Sequence, residues 1–169
     1  MGLLTIGYTS YQVNLDPKNP KNVRVLPDIR ASQNQLLQRG IILQVEVGVD
    51  DQTAETLRQQ GNAVPQSISC QALVDTGASA LGIETSIATQ LGLSRKGQST
   101  NHTANGPRQC SLYAVSLDFP GTSLKKFPII QASDVNLSQQ PFKVLIGRDV
   151  MSKWHLHYNG QTGTITIAD

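Results

Sequence analysis

Apolar and polar or small residues alternate through Leu43-Gln44-Val45-Glu46-Val47-Gly48-Val49. A period of two predicts a strand with one buried and one solvent-facing side. Ser67 to Val74 reads as a second strand, running directly into Asp75-Thr76-Gly77. Ser99 to Ala104, an Asn105-Gly106 turn and Cys110 to Phe119 predict a long hairpin, because Asn-Gly tolerates positive φ. Tyr113, Val115, Leu117 and Phe119 fall on one face of its outgoing strand. Phe127-Pro128-Ile129-Ile130 is a short strand with its proline at an edge or start. Lys143 to Gly147 is an apolar strand, and His155 to Tyr158 with Thr164 to Ile167 make a last hairpin.

Helical patterns are few. Thr53 to Gly61 suits a short helix, with Asp51 or Thr53 as N-cap and Gly61 past its end. Glu84 to Leu91 carries Ile87 and Leu91 at i,i+4, and Arg148 to Trp154 is a third candidate. Before Ile41 the pattern weakens. Leu3 to Tyr8 and Val23 to Leu26 read as strands around a polar, proline-broken loop from Asn14 to Asn22, and glutamine-rich Ala31 to Gly40 stays ambiguous. Many short strands between turns predict an all-β, closed or barrel-like domain with one or two short helices. Residues 1–40 read as an N-terminal arm and 41–169 as the domain proper.

Composition narrows the function classes. The 169 residues are 38% hydrophobic and 15% charged, which suits an ordinary globular domain with its own core. The net charge is +2 and the densest basic spot is Lys125-Lys126, so no basic stripe speaks for nucleic acid. No apolar run reaches the ~18 residues of a membrane-spanning helix. Met1-Gly2 opens like a myristoylation signal, but Ile6 stands where the pattern asks for Ser or Thr. With no signal peptide visible, the expected location is cytoplasmic. Cys70 and Cys110 form neither a CxxC pair nor a zinc spacing, and a disulfide between them stays open.

The chemistry gathers at Val74-Asp75-Thr76-Gly77-Ala78-Ser79. Hydrolysing an amide with water needs a base for the water and an acid for the carbonyl. Two adjacent carboxyls supply both, because crowding makes them share one proton. Such a carboxylate must sit rigidly at a strand end among small neighbours, and Asp75 does so in this pattern. Thr76 offers a bracing hydroxyl, and Gly77 permits close backbone approach. Asp and Gly are also common turn residues, so the tripeptide alone leaves a plain strand-to-turn step open.

A second segment, Val144-Leu145-Ile146-Gly147-Arg148-Asp149, is an apolar strand ending in glycine before a short helix. The order of Asp-Thr-Gly-Ala, hairpin, then apolar strand-Gly-Arg-helix resembles the retropepsin-like aspartic proteases, from about Ile41 onward. The resemblance implies an acid-protease fold with no cofactor and no metal. It implies that Asp75 is the catalytic carboxylate and that the Thr76 hydroxyl reaches across a dimer axis. Gly77 would offer its carbonyl to substrate, beside small Ala78. Gly147 would pack against the active-site loop, and Arg148 would brace the fold or interface by a salt bridge. His102, Thr103, Ala104, Asn105 and Gly106 would form a flap over an extended peptide.

Four features depart from that family pattern. Ser79 stands where retroviral members often carry an acid, so Arg148 must pair with Asp149 or another acidic group. The flap tip has one Gly and one Pro, and the loop from Asp50 to Gln66 is long. The chain ends in a hairpin, so Thr164 to Ile167 or the N-terminal arm would build the dimer sheet. No second Asp-Thr/Ser-Gly exists, since Asp50, Asp51, Asp134 and Asp149 have other neighbours. A dyad therefore requires a homodimer, whose contact would be isologous.

The remaining candidates read as structural. His155 and His157 share a strand face but lack the further ligands a metal needs. Trp154 reads as core or interface, and no Gly-x-Ser-x-Gly supports a serine hydrolase. Two rivals to an active protease stay open: a non-catalytic peptide-binding or dimerisation module, and a latent enzyme whose residues 1–40 act as a pro-segment.

Overall fold

The computed structural model describes residues 2–7, 11–16, 19–103 and 106–169; for 11–16, 19–25, 102 and 103 it describes the backbone alone. In chain order, β1 (Leu3–Ile6), β2 (Tyr11–Asp16) and β3 (Asn19–Pro27) lead to α1 (Ile29–Arg39). Then follow β4 (Ile41–Val49), α2 (Asp51–Gln59), β5 (Ile68–Val74), β6 (Leu81–Glu84) and α3 (Thr85–Gln90). The flap-like hairpin is β7 (Gly97–Thr103) and β8 (Gly106–Asp118); Ala104 and Asn105 lie outside the described residues, and Gly106, expected in the turn, opens β8 opposite Thr103. The chain continues through β9 (Phe127–Val135), β10 (Val144–Ile146), α4 (Arg148–Met151), β11 (His155–Asn159) and β12 (Thr164–Ala168).

The expected closure is present. The strand order β4-β5-β10-β6-β9-β8-β7 is closed by a further β4–β8 pairing, leaving β7 outside a six-stranded ring. β4 achieves this by pairing β5 from Ile41↔Val74 to Val47↔Ile68, and β8 from Glu46↔Asp118 to Val49↔Val115. Its alternation delivers Leu43, Val45 and Val47 inward, where they meet Ala72, Ile83, Val115, Leu117, Val144 and Ile146 in one core. A closed ring leaves few exposed edges to template unwanted pairing.

A second sheet has the order β1-β12-β11, and its Ile165 and Ile167 join the same core. Trp154 is buried there with its ring 5.4 Å from Phe119 in an edge-on contact. The sheet is tied to the rest of the chain by Asp169, which accepts from the Gly2 amide at 2.8 Å and the Lys125 amide at 2.6 Å.

Several boundaries differ from those the pattern predicts. The expected loop over 14–22 is instead strand at 11–16 and 19–27, paired as β2–β3; residues 17 and 18 lie outside the description. The ambiguous Ala31–Gly40 segment is helix α1. Asp28 caps it by accepting from the Ala31 amide at 2.9 Å, and Gly40 ends it at φ +69. Its glutamines hid it, because Ser32 is its one buried residue and no apolar stripe exists. Asp50, rather than Asp51 or Thr53, caps α2, since it leaves β4 extended and accepts from the Thr53 amide at 3.0 Å.

Strand β6 had no signal of its own. All four residues are buried, so Leu81-Gly82-Ile83-Glu84 shows no alternation. β9 runs past Ile130 to Val135 because its polar residues are bonded: Ser133 accepts from Asn101, and Asp134 from the Ser111 amide. Pro128 lies where β9 pairs only with β8, as pairing to β6 begins at Ala132.

Candidate active site

Asp75 follows the last residue of β5, between strands that hold it on both sides. Val74 pairs with Ile41 of β4 and Ile146 of β10. The ladder continues one residue further, because the Asp75 amide donates to the Ile146 carbonyl at 3.0 Å. The chain then turns. The Ala78 amide bonds the Asp75 carbonyl at 3.1 Å, and the Gly77 amide donates to Asp75 Oδ1 at 2.8 Å. This side-chain-to-backbone turn fixes the half-buried carboxylate. Among the described residues no donor reaches Oδ2.

The loop is stitched to the β10–α4 step. Arg148 N donates to Ala78 O at 3.0 Å and Asp149 N to Ser79 O at 3.2 Å. Gly147 makes this approach possible: a Cβ there would stand 2.5 Å from the carbonyl carbon and oxygen of Ala80. Its φ of −86 is open to any residue, so proximity alone requires the glycine.

Arg148 does not use the expected salt bridge within this chain. Its Nη1 donates to the carbonyls of Thr76 at 2.7 Å and Gly77 at 3.1 Å, and no ion pair among the described residues includes it. Its neighbour Asp149 faces backbone instead, with Oδ2 accepting from the Leu81 amide at 2.9 Å and Oδ1 from the Val150 amide at 2.8 Å. The Gly77 carbonyl expected to face substrate thus already accepts one bond. Thr76 is exposed, and Ala78 is half-buried within the turn.

The hairpin places His102 opposite Pro107 and Thr103 opposite Gly106 in register. Gly106 has φ +100, a conformation that favours glycine. Toward its tip this hairpin is linked to β6, the strand that follows the aspartate loop. Asn101 Nδ2 donates to Ser133 Oγ at 3.0 Å, and Ser133 Oγ donates to Leu81 O at 3.5 Å. Leu81 is the residue whose amide Asp149 holds. Asn101 and Ser133 escaped the sequence reading, because single polar residues in strand-like runs carry no local signature, and Asp149, expected there only as a partner for Arg148, holds the Leu81 amide instead.

Among the described residues, no three His, Cys, Asp or Glu side chains stand close enough to hold a metal ion. His155 and His157 are exposed on β11. Cys70 and Cys110 are free thiols, and burial pushes Cys70 up to about 11 against the opposing charge of Lys143. Among the described residues no helix is long and apolar enough to cross a membrane.

A closed β-ring with Asp-Thr-Gly at a strand end beside an apolar-Gly-Arg step defines the acid-protease class of fold. A sequence profile described as aspartyl protease matches residues 62–150, more than half of the chain, from before β5 into α4. The chain belongs to this aspartyl protease family, in agreement with the retropepsin-like resemblance. No curated protein matches it. Among solved structures it is similar to a retropepsin-like aspartic protease from Rickettsia conorii, at 17% identity and TM-score 0.43, over 75% of this chain and 88% of that one. It is also similar to the EIAV protease complexed with the inhibitor HBY-793, at 18% identity and TM-score 0.43, over 69% of this chain and 89% of that one. The retroviral protease-like domain of Ddi1 from Leishmania major matches at 13% identity and TM-score 0.37, over 70% and 81% of the respective chains.

Proposed function

We propose that the protein is an aspartic endopeptidase whose active site forms between the Asp75 side chains of two copies. The observation that supports this best is the locked Asp75 loop: one oxygen is engaged by the Gly77 amide, and no described donor reaches the other. One carboxylate is base or acid at a given instant, not both, and the chain contains one Asp-Thr-Gly. A second copy completes the dyad.

In this reading the paired Asp75 carboxyls share a proton and hold a water between them. The ionised Asp75 takes a proton from the water as its oxygen attacks the scissile carbonyl carbon. The protonated Asp75 gives its proton to the carbonyl oxygen, which leaves a tetrahedral diol. The diol collapses with proton transfer to the amide nitrogen, and the C–N bond breaks. No acyl-enzyme forms.

Thr76 and Gly77 line the axis, Arg148 and Gly147 keep the loop in place, and 102–106 cover an extended substrate that adds strand-like hydrogen bonds. Residues 41–169 form the catalytic domain, and 1–40 an arm at the dimer contact. β12 has both edges paired within the chain, so a shared sheet would run through an edge of β1 or β11 that is unpaired among the described residues.

The test is cleavage of casein and of a peptide library from acid to neutral pH. The wild type should cleave and Asp75→Asn should not, with the same thermal midpoint for both. Binding without cleavage by the wild type at every pH would favour a non-catalytic peptide-binding module; persistent cleavage by pure Asp75→Asn would place the chemistry elsewhere.

A further inference from the structure

A cavity of about 580 Å³ lies between α1, the outer face of β4–β5, the 140–142 segment and β12. It reaches the strand that carries the aspartate through Gln71. Gly40, Ile41 and Ile42 form one wall, and Ile41 pairs with Val74, the residue before Asp75. Gln71 also lines it, and the period of a strand puts Gln71, Leu73 and Asp75 on the same side of β5.

The wall made by α1 is fixed by close packing. A Cβ on Gly163 would stand 2.5 Å from Gln33 N and Ser32 C, and Gln33 Nε2 donates to Gln161 O at 2.6 Å. On the other side Lys143 Nζ is bonded to the carbonyls of Leu137, Ser138 and Gln140, which holds the loop bearing Gln140 and Phe142.

The lining has a definite chemistry. Leu36, Ile42 and Phe142 are apolar, Gln38, Gln71 and Gln140 are amides, and Arg39 is the one charged side chain among the described lining residues. No described ion pair uses Arg39. Ser32, 3% exposed, borders the cavity with a hydroxyl that has no partner among the described residues. Buried hydroxyls are normally bonded, so an incoming polar group would satisfy this one.

We propose that this groove is a specificity subsite of the Asp75 centre, taking an aspartate or glutamate side chain of the extended peptide substrate. The carboxylate pairs with Arg39, the glutamine amides bond the peptide backbone, and the apolar wall receives a neighbouring side chain. This rests on the endopeptidase reading above.

The experiment is cleavage-site profiling of the full chain on a combinatorial peptide library, comparing wild type, Arg39→Gln and Arg39→Glu at equal thermal midpoints. Wild type should favour Asp or Glu at one position near the cut. Arg39→Gln should lose that preference and Arg39→Glu should turn it toward Lys or Arg, with kcat/KM on an acidic peptide down roughly tenfold. No acidic preference in the wild type, or the same preference in Arg39→Glu, overturns the subsite. If none of the proteins cleaves, fluorescence anisotropy of acidic and basic library peptides separates the two ideas. Arg39-dependent binding of acidic peptides keeps the groove and removes the protease; charge-blind binding, or none, removes the groove.

Discussion

Substituting Gly147 by alanine isolates the contact that holds the aspartate loop. Gly147 has φ −86 and ψ −179, so alanine meets no backbone penalty. Its Cβ would instead stand 2.5 Å from Ala80 C and O and 2.7 Å from Ala80 N. Ordinary contact begins near 3.4 Å, so backbone must move by about 1 Å. Overpacking of this kind costs about 1–3 kcal/mol. The same shift weakens the Arg148–Ala78 and Asp149–Ser79 bonds, each worth about 1 kcal/mol. A total of about 2–4 kcal/mol lowers the thermal midpoint by roughly 5–15 °C at this chain length. Peptide cleavage should fall as well, because the displaced loop carries Asp75. Gly97→Ala is the control: its Cβ meets only Leu112 Cδ1 at 3.8 Å, so the expected change is within about 0.5 kcal/mol. Circular dichroism melts of both variants decide the matter. Equal midpoints for the two, with full cleavage by Gly147→Ala, would refute the close-approach argument.

Three further outcomes follow from the geometry. Asp149→Ala leaves the Leu81 amide without its acceptor and should cost about 1–3 kcal/mol in a denaturant titration, with Asp149→Asn costing less; equal midpoints for Asp149→Ala and wild type would contradict this. At Asp169, desolvation raises the carboxyl pKa, but the Lys125 and Gly2 amides and the Lys125 charge outweigh it and lower the net value. A lowered folded pKa gives stability that is present above the unfolded value and lost as pH falls through the folded one. The deficit of Asp169→Asn in denaturant midpoint should therefore be full at neutral pH and shrink below about pH 4, whereas a deficit constant down to pH 2 would contradict the assignment. Finally, Cys70, pushed up to about 11, should react with a disulfide reagent at pH 8 far more slowly in the folded protein than in guanidinium; equal rates would show the thiol is not shielded.

What was legible before the fold was known follows from periodicity. Half-buried strands such as β4 and β8 announce themselves by alternation, and the Asn-Gly signal marked the β7–β8 hairpin. The apolar β10 run and its terminal glycine carried the resemblance that implied Gly147 against the active-site loop, while the partner Ala80 is set by the fold alone. Fully buried β6 and glutamine-rich α1 were not legible, because neither separates an apolar from a polar side. The position of Asp75 could be read, since strand, acid and small residues are contiguous. Its supports could not. Arg148 binds two carbonyls separated from it by a long stretch of chain, and Asp149 binds the amide of an unseen strand. Tertiary proximity chooses such partners, and charge pairing along the sequence misled the expectation for Arg148.

The central claim is that cleavage needs an Asp75 from each of two copies. Subunit mixing tests it most directly. Wild type and Asp75→Asn, mixed in varied ratio at constant total concentration and allowed to exchange, should lose activity as the square of the wild-type fraction, because a mixed dimer holds half a dyad. Activity falling in simple proportion to the wild-type fraction would mean that each chain works alone, and would contradict the account.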